Sequence, residues 1–209
     1  MTSSGRATYH HGDLRAALIA GAQQLLDAQG LENFSLRAVA RHAGVSPAAP
    51  AYHFGDAASL LTEVALAGFQ RLERTMITRA ATPGARPLAR LHAMGDAYIR
   101  FALANPALFH LMFRKEKLHI TDALKAAAVA AFAPLQAAVC ELAGVQQDRI
   151  DAPLLASMLA AWAMVHGFAH LALDGQFERF AGSTPLPAFY DTYIALAISQ
   201  LKFPAGATP

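Results

Sequence analysis

The sequence predicts an all-α protein, with a three-helix N-terminal head containing a helix-turn-helix and a larger helical C-terminal domain, about nine helices in total. Two observations carry this prediction. Alanine and leucine dominate the 209 residues, and no region shows the Val/Ile/Thr alternation of a sheet protein. Proline and glycine divide the remaining chain into segments of helix length. We expect residues 1–55 to form the head and residues 56–209 the C-terminal domain.

The first helix of the head is predicted from about Asp13 to Gln29. Its apolar positions follow a helical period and are Leu14, Leu18, Ala22, Leu25 and Leu26. Gly30 ends the helix, because glycine accepts the left-handed backbone common after a last turn.

A helix-turn-helix is predicted for residues 35–54. One apolar face recurs at i, i+3, i+4 and i+7 and consists of Leu36, Val39, Ala40 and Ala43. Ser35 stands where its hydroxyl can accept a hydrogen bond from a first-turn amide. Gly44 follows the last periodic residue, where the chain must turn sharply.

The second helix of this motif is expected to be capped by Ser46. Pro47 then occupies the first helical position, where a missing N–H costs nothing. Two short helices joined by a glycine-containing turn can place the second in a DNA major groove. The same geometry also occurs in proteins that never bind DNA, so that alternative stays open.

The segment from Tyr9 to Phe69 resembles the N-terminal DNA-binding domain of TetR-family (tetracycline-repressor-like) transcriptional regulators. The resemblance covers three helices, their spacing, and the runs Gly44-Val45-Ser46 and His53-Phe54. It implies a dimeric, all-helical repressor that binds a double-stranded DNA operator and has a variable ligand-binding body.

Two positions depart from the family pattern. The family usually carries tyrosine two residues before the histidine of the His-Phe pair, and lysine three residues after the phenylalanine. This chain has Ala51 and Ala57 there, and its tyrosine is Tyr52. The departures favour weaker contacts to the DNA backbone and keep open a ligand-binding protein that has lost DNA binding.

The predicted DNA-binding residues lie on the two motif helices and are Arg37, Arg41, Ser46, Pro47, Ala48, Ala49, Tyr52 and His53. The arginines, with an N-terminal arm that includes Arg6 and His10, are expected to hold phosphates. Ser46, Ala48, Ala49 and Tyr52 are expected to read bases, with apolar contacts to thymine methyl groups and a contribution from DNA shape.

The helices of the C-terminal domain are predicted from the proline, glycine and capping residues that separate them. We predict helices at about 56–80, 87–104, 106–113, 121–142, 152–173 and 187–202, with a Gly-rich loop around Gly175 and Gly182. Asp56 and Asn105 are the expected caps of the first and third of these helices. The charged run 114–117 is expected to be a surface loop.

Residues 152–173 form a stretch of 22 residues without Asp, Glu, Lys or Arg, which is long enough to span a membrane. Pro153, His166 and His170 are poor choices for a lipid-facing helix, and the flanks supply no positive bias. A helix that is apolar all round is also expected when it is buried in protein. We therefore expect a buried helix and no membrane contact.

Asn105-Pro106 and the spaced Trp162, His166 and Gly167 resemble the TetR subgroup named for a Trp-His-Gly signature. The family architecture implies a homodimer through helices 152–173 and 187–202. One face of helix 152–173 carries Leu155, Leu159, Trp162, His166 and Leu173, and another carries Leu154, Ala161, Met164, Phe168 and Leu171. One face is expected to line the interior and the other to meet the partner.

An effector pocket for a small hydrophobic or aromatic ligand is predicted among large side chains of the body. The candidates are Tyr98, Phe101, Phe109, Met112, Phe113, Phe132, Trp162 and His166. Aromatic residues at helical spacing also form ordinary cores. His166, His170 and Asp174 share one helix face, but no cysteine joins them, so we expect hydrogen-bonded histidines and no metal.

No cofactor or enzymatic activity is expected, because the sequence lacks a phosphate-binding loop, a G-x-S-x-G elbow and an H-E-x-x-H site. An unrecognised helical enzyme using His166 or His170 remains the third hypothesis. Cys140 is the single cysteine, expected to be buried, and the polar N-terminus lacks a signal peptide. Both observations favour the cytoplasm. With a formal net charge of +2 the chain is only mildly basic, and the head is neutral overall.

Overall fold

The computed structural model describes residues 11–203, and this range contains ten α-helices, two short 3-10 turns and no β-strand. The helices are α1 His11–Gln29, α2 Leu36–His42, α3 Ala48–Phe54, α4 Ala57–Ala80, α5 Pro87–Ala104, α6 Pro106–Phe113, α7 Asp122–Ala143, α8 Ala152–Leu173, α9 Glu178–Ala181 and α10 Leu186–Ser199. The all-α prediction is confirmed. The additional helix is α9, which has four residues within the predicted Gly-rich loop and is too short to show a period. Arg6 and His10 lie outside the described residues.

The head consists of α1, α2 and α3. The Ser35 hydroxyl accepts a hydrogen bond from the Ala38 amide at 3.2 Å, which confirms the predicted cap. Gly44 has a φ of 66°, so the turn uses the backbone region that glycine favours. The predicted Ser46 cap is wrong. Pro47 is itself the N-cap residue and already has helical dihedrals, and the Ser46 carbonyl, not its hydroxyl, accepts from the Ala49 amide at 3.0 Å.

Helix α4 connects the head to the body. The Asp56 carboxylate accepts from the Ser59 amide at 2.7 Å, which confirms Asp56 as the cap of α4. Buried side chains along α4 pack against α1 and α3 at one end and against α5, α6 and α7 further along. One continuous hydrophobic cluster therefore runs from Leu18 and Val39 in the head to Val165 and Ile194 in the body.

The remaining helices enclose the body around α5, which contacts α4, α7, α8 and α10. Asn105 occupies the N-cap position of α6 but makes no capping bond. Its side-chain amide is buried and donates to the Phe101 carbonyl at 2.8 Å, so Asn105 is the N-cap residue as predicted but makes no side-chain capping bond. Cys140 is buried in a second cluster with Leu91, Leu154 and Met158.

Two helices, α7 and α8, are long and apolar enough to cross a membrane by length and composition alone. Both pack against α5 within the helical body. The two faces of α8 differ in this single chain. Leu154 and Ala161 are buried, whereas Leu155 and Leu159 are about half exposed. On α10, Tyr193 and Leu196 are similarly exposed, so these two helices leave an apolar surface uncovered.

Candidate DNA-binding surface and ligand cavity

The predicted DNA-binding residues form one exposed surface on α2, α3 and the turn between them. Arg37, Arg41, Ser46, Pro47, Ala48 and Tyr52 are exposed, while Ala49 and His53 are partly buried. Tyr52 extends furthest, with 82 % of its surface accessible, and its ring meets His53 edge-on at 5.4 Å between centroids. An apolar body with a phenolic hydroxyl at its tip is suited to a groove contact.

Side chains of α1 and α4 fix the position of α3 on the side away from its exposed face. The Arg15 guanidinium pairs with Glu63 at 2.8 Å and lies 5.3 Å from the centroid of the buried Phe54 ring. His42 at the end of α2 shares a hydrogen bond of 2.9 Å with Gln24 of α1. These contacts attach both motif helices to α1 and α4. A shift of α4 would therefore be transmitted to the exposed face of α3.

A cavity of about 720 Å³ lies in the body between α4, α5, α6, α7 and α8. Five of the predicted ligand-binding residues line it, namely Tyr98, Met112, Phe113, Phe132 and Trp162. Most of the other wall residues are aliphatic or aromatic. They include Phe69, Leu72 and Met76 of α4, which the sequence analysis assigned only to a long helix. A cavity of this size and polarity can hold a small hydrophobic molecule.

Three of the predicted ligand-binding residues do not line the cavity. Phe109 is completely buried, with its ring edge-on to Tyr98 at 5.6 Å. Phe101 is also buried and lies beneath the Arg71 guanidinium, 5.8 Å from its ring centroid. The His166 ring lies behind the wall, where its Nδ1 and the Tyr98 hydroxyl share a hydrogen bond of 2.8 Å. These three residues therefore pack behind the residues that line the cavity.

Burial shifts the pKa values of several ionisable groups in and behind the cavity wall. It raises the pKa of the Tyr98 hydroxyl well above its usual range. Burial, with a smaller effect of nearby His170, lowers the pKa of His166, and burial also lowers that of His110. The centroids of the His166 and His170 rings are 4.5 Å apart. Among the side chains that the structure describes, in residues 14–203, no group of three or more His, Cys, Asp or Glu is arranged to hold a metal ion.

One end of the cavity reaches the surface beside the 3-10 turn Lys115–Lys117 and the start of α7. Lys115, Ile120, Lys125 and Val129 line the cavity there and are all exposed. This rim was not predicted, since Lys115 belongs to the charged run 114–117, which was expected to be a surface loop. The only available signal was the apolar Leu118 and Ile120 following that run, and their sequence does not reveal which surface they meet.

The segment between these residues is connected to the head. His119 lies between Leu118 and Ile120, both of which line the cavity. Its backbone amide donates to the Thr62 hydroxyl at 2.9 Å, and its Nε2 lies 3.0 Å from the Asp56 carboxylate. The Ser59 amide and then the His119 ring lower the pKa of Asp56 to about 2. The residue that caps α4, directly after α3, is therefore bound to the cavity rim.

A helix-turn-helix head joined through a shared helix to a body with an apolar cavity defines a class of protein, the ligand-responsive DNA-binding regulators. Two family models match the chain. "Bacterial regulatory proteins, tetR family" matches residues 18–64, and "Tetracyclin repressor-like, C-terminal domain" matches residues 91–195. The second model alone covers half of the chain. This protein belongs to the TetR family of transcriptional regulators.

Solved structures share the fold of this chain. A protein of unknown function from Rhodococcus sp. RHA1 is 31% identical, with a TM-score of 0.74, over 94% of this chain and 99% of that one. The TetR family regulator PfmR from Thermus thermophilus is 22% identical, with a TM-score of 0.60, over 88% and 98% of the two chains. A TetR family regulator from Marinobacter aquaeolei VT8 is 20% identical, with a TM-score of 0.60, over 90% and 92%. No curated protein matches the sequence.

Proposed function

We propose that this regulator is a cytoplasmic, non-enzymatic homodimeric repressor, released from a palindromic operator by a small hydrophobic effector. The observation that carries the proposal is the apolar cavity of about 720 Å³ whose walls include α4 and α6. Both helices also contact the head, α4 through α1 and α3 and α6 through α1. A ligand that prefers one position of these helices shifts the population of head arrangements in proportion to its differential affinity.

The two copies of α3 in the dimer are proposed to enter successive major grooves. Arg37 and Arg41 are exposed on α2, where they can neutralise phosphates without reading sequence. Tyr52 is the largest exposed side chain of α3, and its neighbours Ala48 and Ala49 offer only methyl groups. Part of the specificity is therefore assigned to DNA shape.

We expect Tyr52→Ala to weaken operator binding by about tenfold, in line with loss of one base or sugar contact. The dimer should stay intact, because Tyr52 is 82 % exposed and contacts only its α3 neighbour His53 among the aromatic rings. The measurement is a fluorescence-anisotropy titration of a duplex from upstream of the gene, at several salt concentrations, beside a scrambled duplex.

Ile77→Ala is the matched control, since Ile77 is an exposed apolar residue of α4 remote from α3. Unchanged affinity in Tyr52→Ala would remove Tyr52 from the contact surface. Equal and weak binding of both duplexes by the unsubstituted protein would favour the second candidate function, a small-molecule-binding protein with lost or weak DNA binding. Ala51 and Ala57 are the residues that favour that candidate.

The signal is proposed to reach the head partly through His119. We expect His119→Ala to reduce effector-induced release several-fold while the ligand affinity changes little, because the substituted side chain faces Asp56 and not the cavity. Operator titrations with and without ligand measure the coupling as a ratio of Kd values. Lys117→Ala, an exposed change two residues away, is the control. Unaltered coupling in His119→Ala would assign the signal to the direct contacts of α4 and α6 with the head.

We also propose membership of the Trp-His-Gly subgroup and a domain boundary between residues 55 and 56. In support of the first, Trp162 lies on the cavity wall and His166 is bound to Tyr98 directly behind it. In support of the second, Asp56 caps the helix that leaves the head.

A further inference from the structure

We propose that the effector is an anionic amphiphile, with a hydrocarbon tail in the cavity and a carboxylate or similar anionic group at the rim beside Lys115 and Lys125. The inference rests on the proposed ligand-binding function of this cavity and adds the chemical class of the ligand. It follows from where the cavity is polar and where it is not.

The interior of the cavity offers almost no partner for a polar group. Its wall is aliphatic, aromatic or thioether except at a few positions. The Tyr98 hydroxyl, which is buried, shares one hydrogen bond with His166, and Trp162 Nε1 is the other side-chain nitrogen or oxygen of the wall apart from the two lysines. A charged group placed in this part of the cavity would lose its hydration with little replacement, which is strongly unfavourable. The buried part of the ligand is therefore apolar.

The charged residues of the wall lie at one end only. Lys115 on the 3-10 turn and Lys125 in the first turns of α7 are the two ionisable cations among the wall residues, and no Asp or Glu lines the cavity. Both lysines are exposed, so a head group beside them keeps contact with water. A ligand with its charged group at one end and its apolar part at the other satisfies both regions.

The sign of the head group follows from the neighbours of the two lysines. Lys115 forms no ion pair with the side chains described in residues 14–203, whereas Lys125 lies 3.1 Å from the Asp122 carboxylate. Asp122 is almost fully exposed and does not line the cavity, so it can release Lys125 at little cost. A bound cation would face two ammonium groups, while an anion would be attracted to both.

The test uses decanoate, decanol and decylamine, which share a tail length and differ only in the head group. Isothermal titration calorimetry of the full chain should show decanoate binding about tenfold more tightly than decanol, and decylamine binding most weakly. Two exposed lysines justify an effect of this size and no larger. The preference for decanoate over decanol should shrink as salt is raised.

The variant Lys115→Gln/Lys125→Gln should lose that preference, with decanol binding unchanged because the apolar wall is intact. Lys117→Gln/Lys202→Gln is the matched control. It removes the same charge from two lysines that do not line the cavity. Equal affinity for decanoate and decanol in the unsubstituted protein would overturn the inference, and so would a preference that survives Lys115→Gln/Lys125→Gln.

Operator anisotropy on the same samples separates this inference from the proposed function. Lysine-dependent decanoate binding that leaves the operator affinity unchanged would support the ligand class and contradict the ligand-released repressor. A protein that binds the operator, and binds decanol as tightly as decanoate, would support the repressor and contradict the anionic head group.

Discussion

We expect Tyr193→Asp/Leu196→Asp to convert the proposed dimer into a monomer and to lower operator affinity at least a hundredfold. Both residues are about half exposed on α10 of the single chain and neither lines the cavity. In the proposed four-helix interface of α8 and α10 they become buried, and an unpaired carboxylate there is strongly destabilising. A monomer engages one half-site and loses the avidity of two linked heads, which is worth about 10²–10⁴-fold.

Sedimentation velocity measures the oligomeric state and anisotropy the DNA affinity of the same variant. Ile77→Asp/Leu88→Asp is the matched control, because it places the same two carboxylates on similarly exposed apolar positions of α4 and α5, outside α8 and α10. Circular dichroism checks that both variants remain helical. A dimeric Tyr193→Asp/Leu196→Asp protein would place the interface on another surface.

The second large effect is on stability. We expect Phe109→Ala to lower the free energy of unfolding by about 3–5 kcal/mol, because the ring is completely buried and its removal leaves a cavity in the core. The ring contacts Tyr98, Phe113 and His166, with centroid separations of 5.6, 5.1 and 5.6 Å. Urea denaturation with the midpoint and slope fitted separately is the measurement.

Trp162→Ala provides the contrast. Trp162 is 38 % exposed and lines the cavity, so its removal should cost less stability than Phe109→Ala and reduce the ligand response more than DNA binding. Its exposed edge lies on the apolar face of α8, so the oligomeric state of Trp162→Ala is measured as well. Equal losses of ligand response and DNA binding would assign Trp162 to the core.

A Phe109→Ala protein of unchanged stability would contradict the buried position of the Phe109 ring.

The local elements were predictable where a side chain or a period acts within a few residues. The Ser35 and Asp56 caps, the turn at Gly44 and the 22 residues of α8 are all present as the sequence indicates. The prediction for Ser46 was wrong, and Asn105 occupies its predicted N-cap position without a side-chain capping bond, for a related reason. A capping side chain has other possible partners. The Ser46 carbonyl accepts from the Ala49 amide in place of the Ser46 hydroxyl, and the Asn105 side-chain amide donates to the Phe101 carbonyl four residues earlier.

The candidate ligand site was only half predictable. Aromatic residues at helical spacing identified the body's large side chains, but sequence does not distinguish Phe113 on the cavity wall from Phe109 behind it. The rim lysines and His119 were missed entirely. The role of His119 depends on its contacts with Thr62 and Asp56 at the start of α4, which lie 57 and 63 residues away in the sequence. The rim position of the two lysines depends on where the 3-10 turn and the start of α7 lie relative to the cavity.

The sequence alone therefore determined the all-helical class, the helix-turn-helix, most helix bounds and the family resemblance, since these depend on neighbours along the chain. Tertiary structure decided which side chains line the cavity, where its charge lies and how its rim contacts Asp56. It also showed which face of α8 is left uncovered. Burial and long-range hydrogen bonding are properties of the packed chain, because the same phenylalanine or lysine changes its role with a few ångströms of displacement.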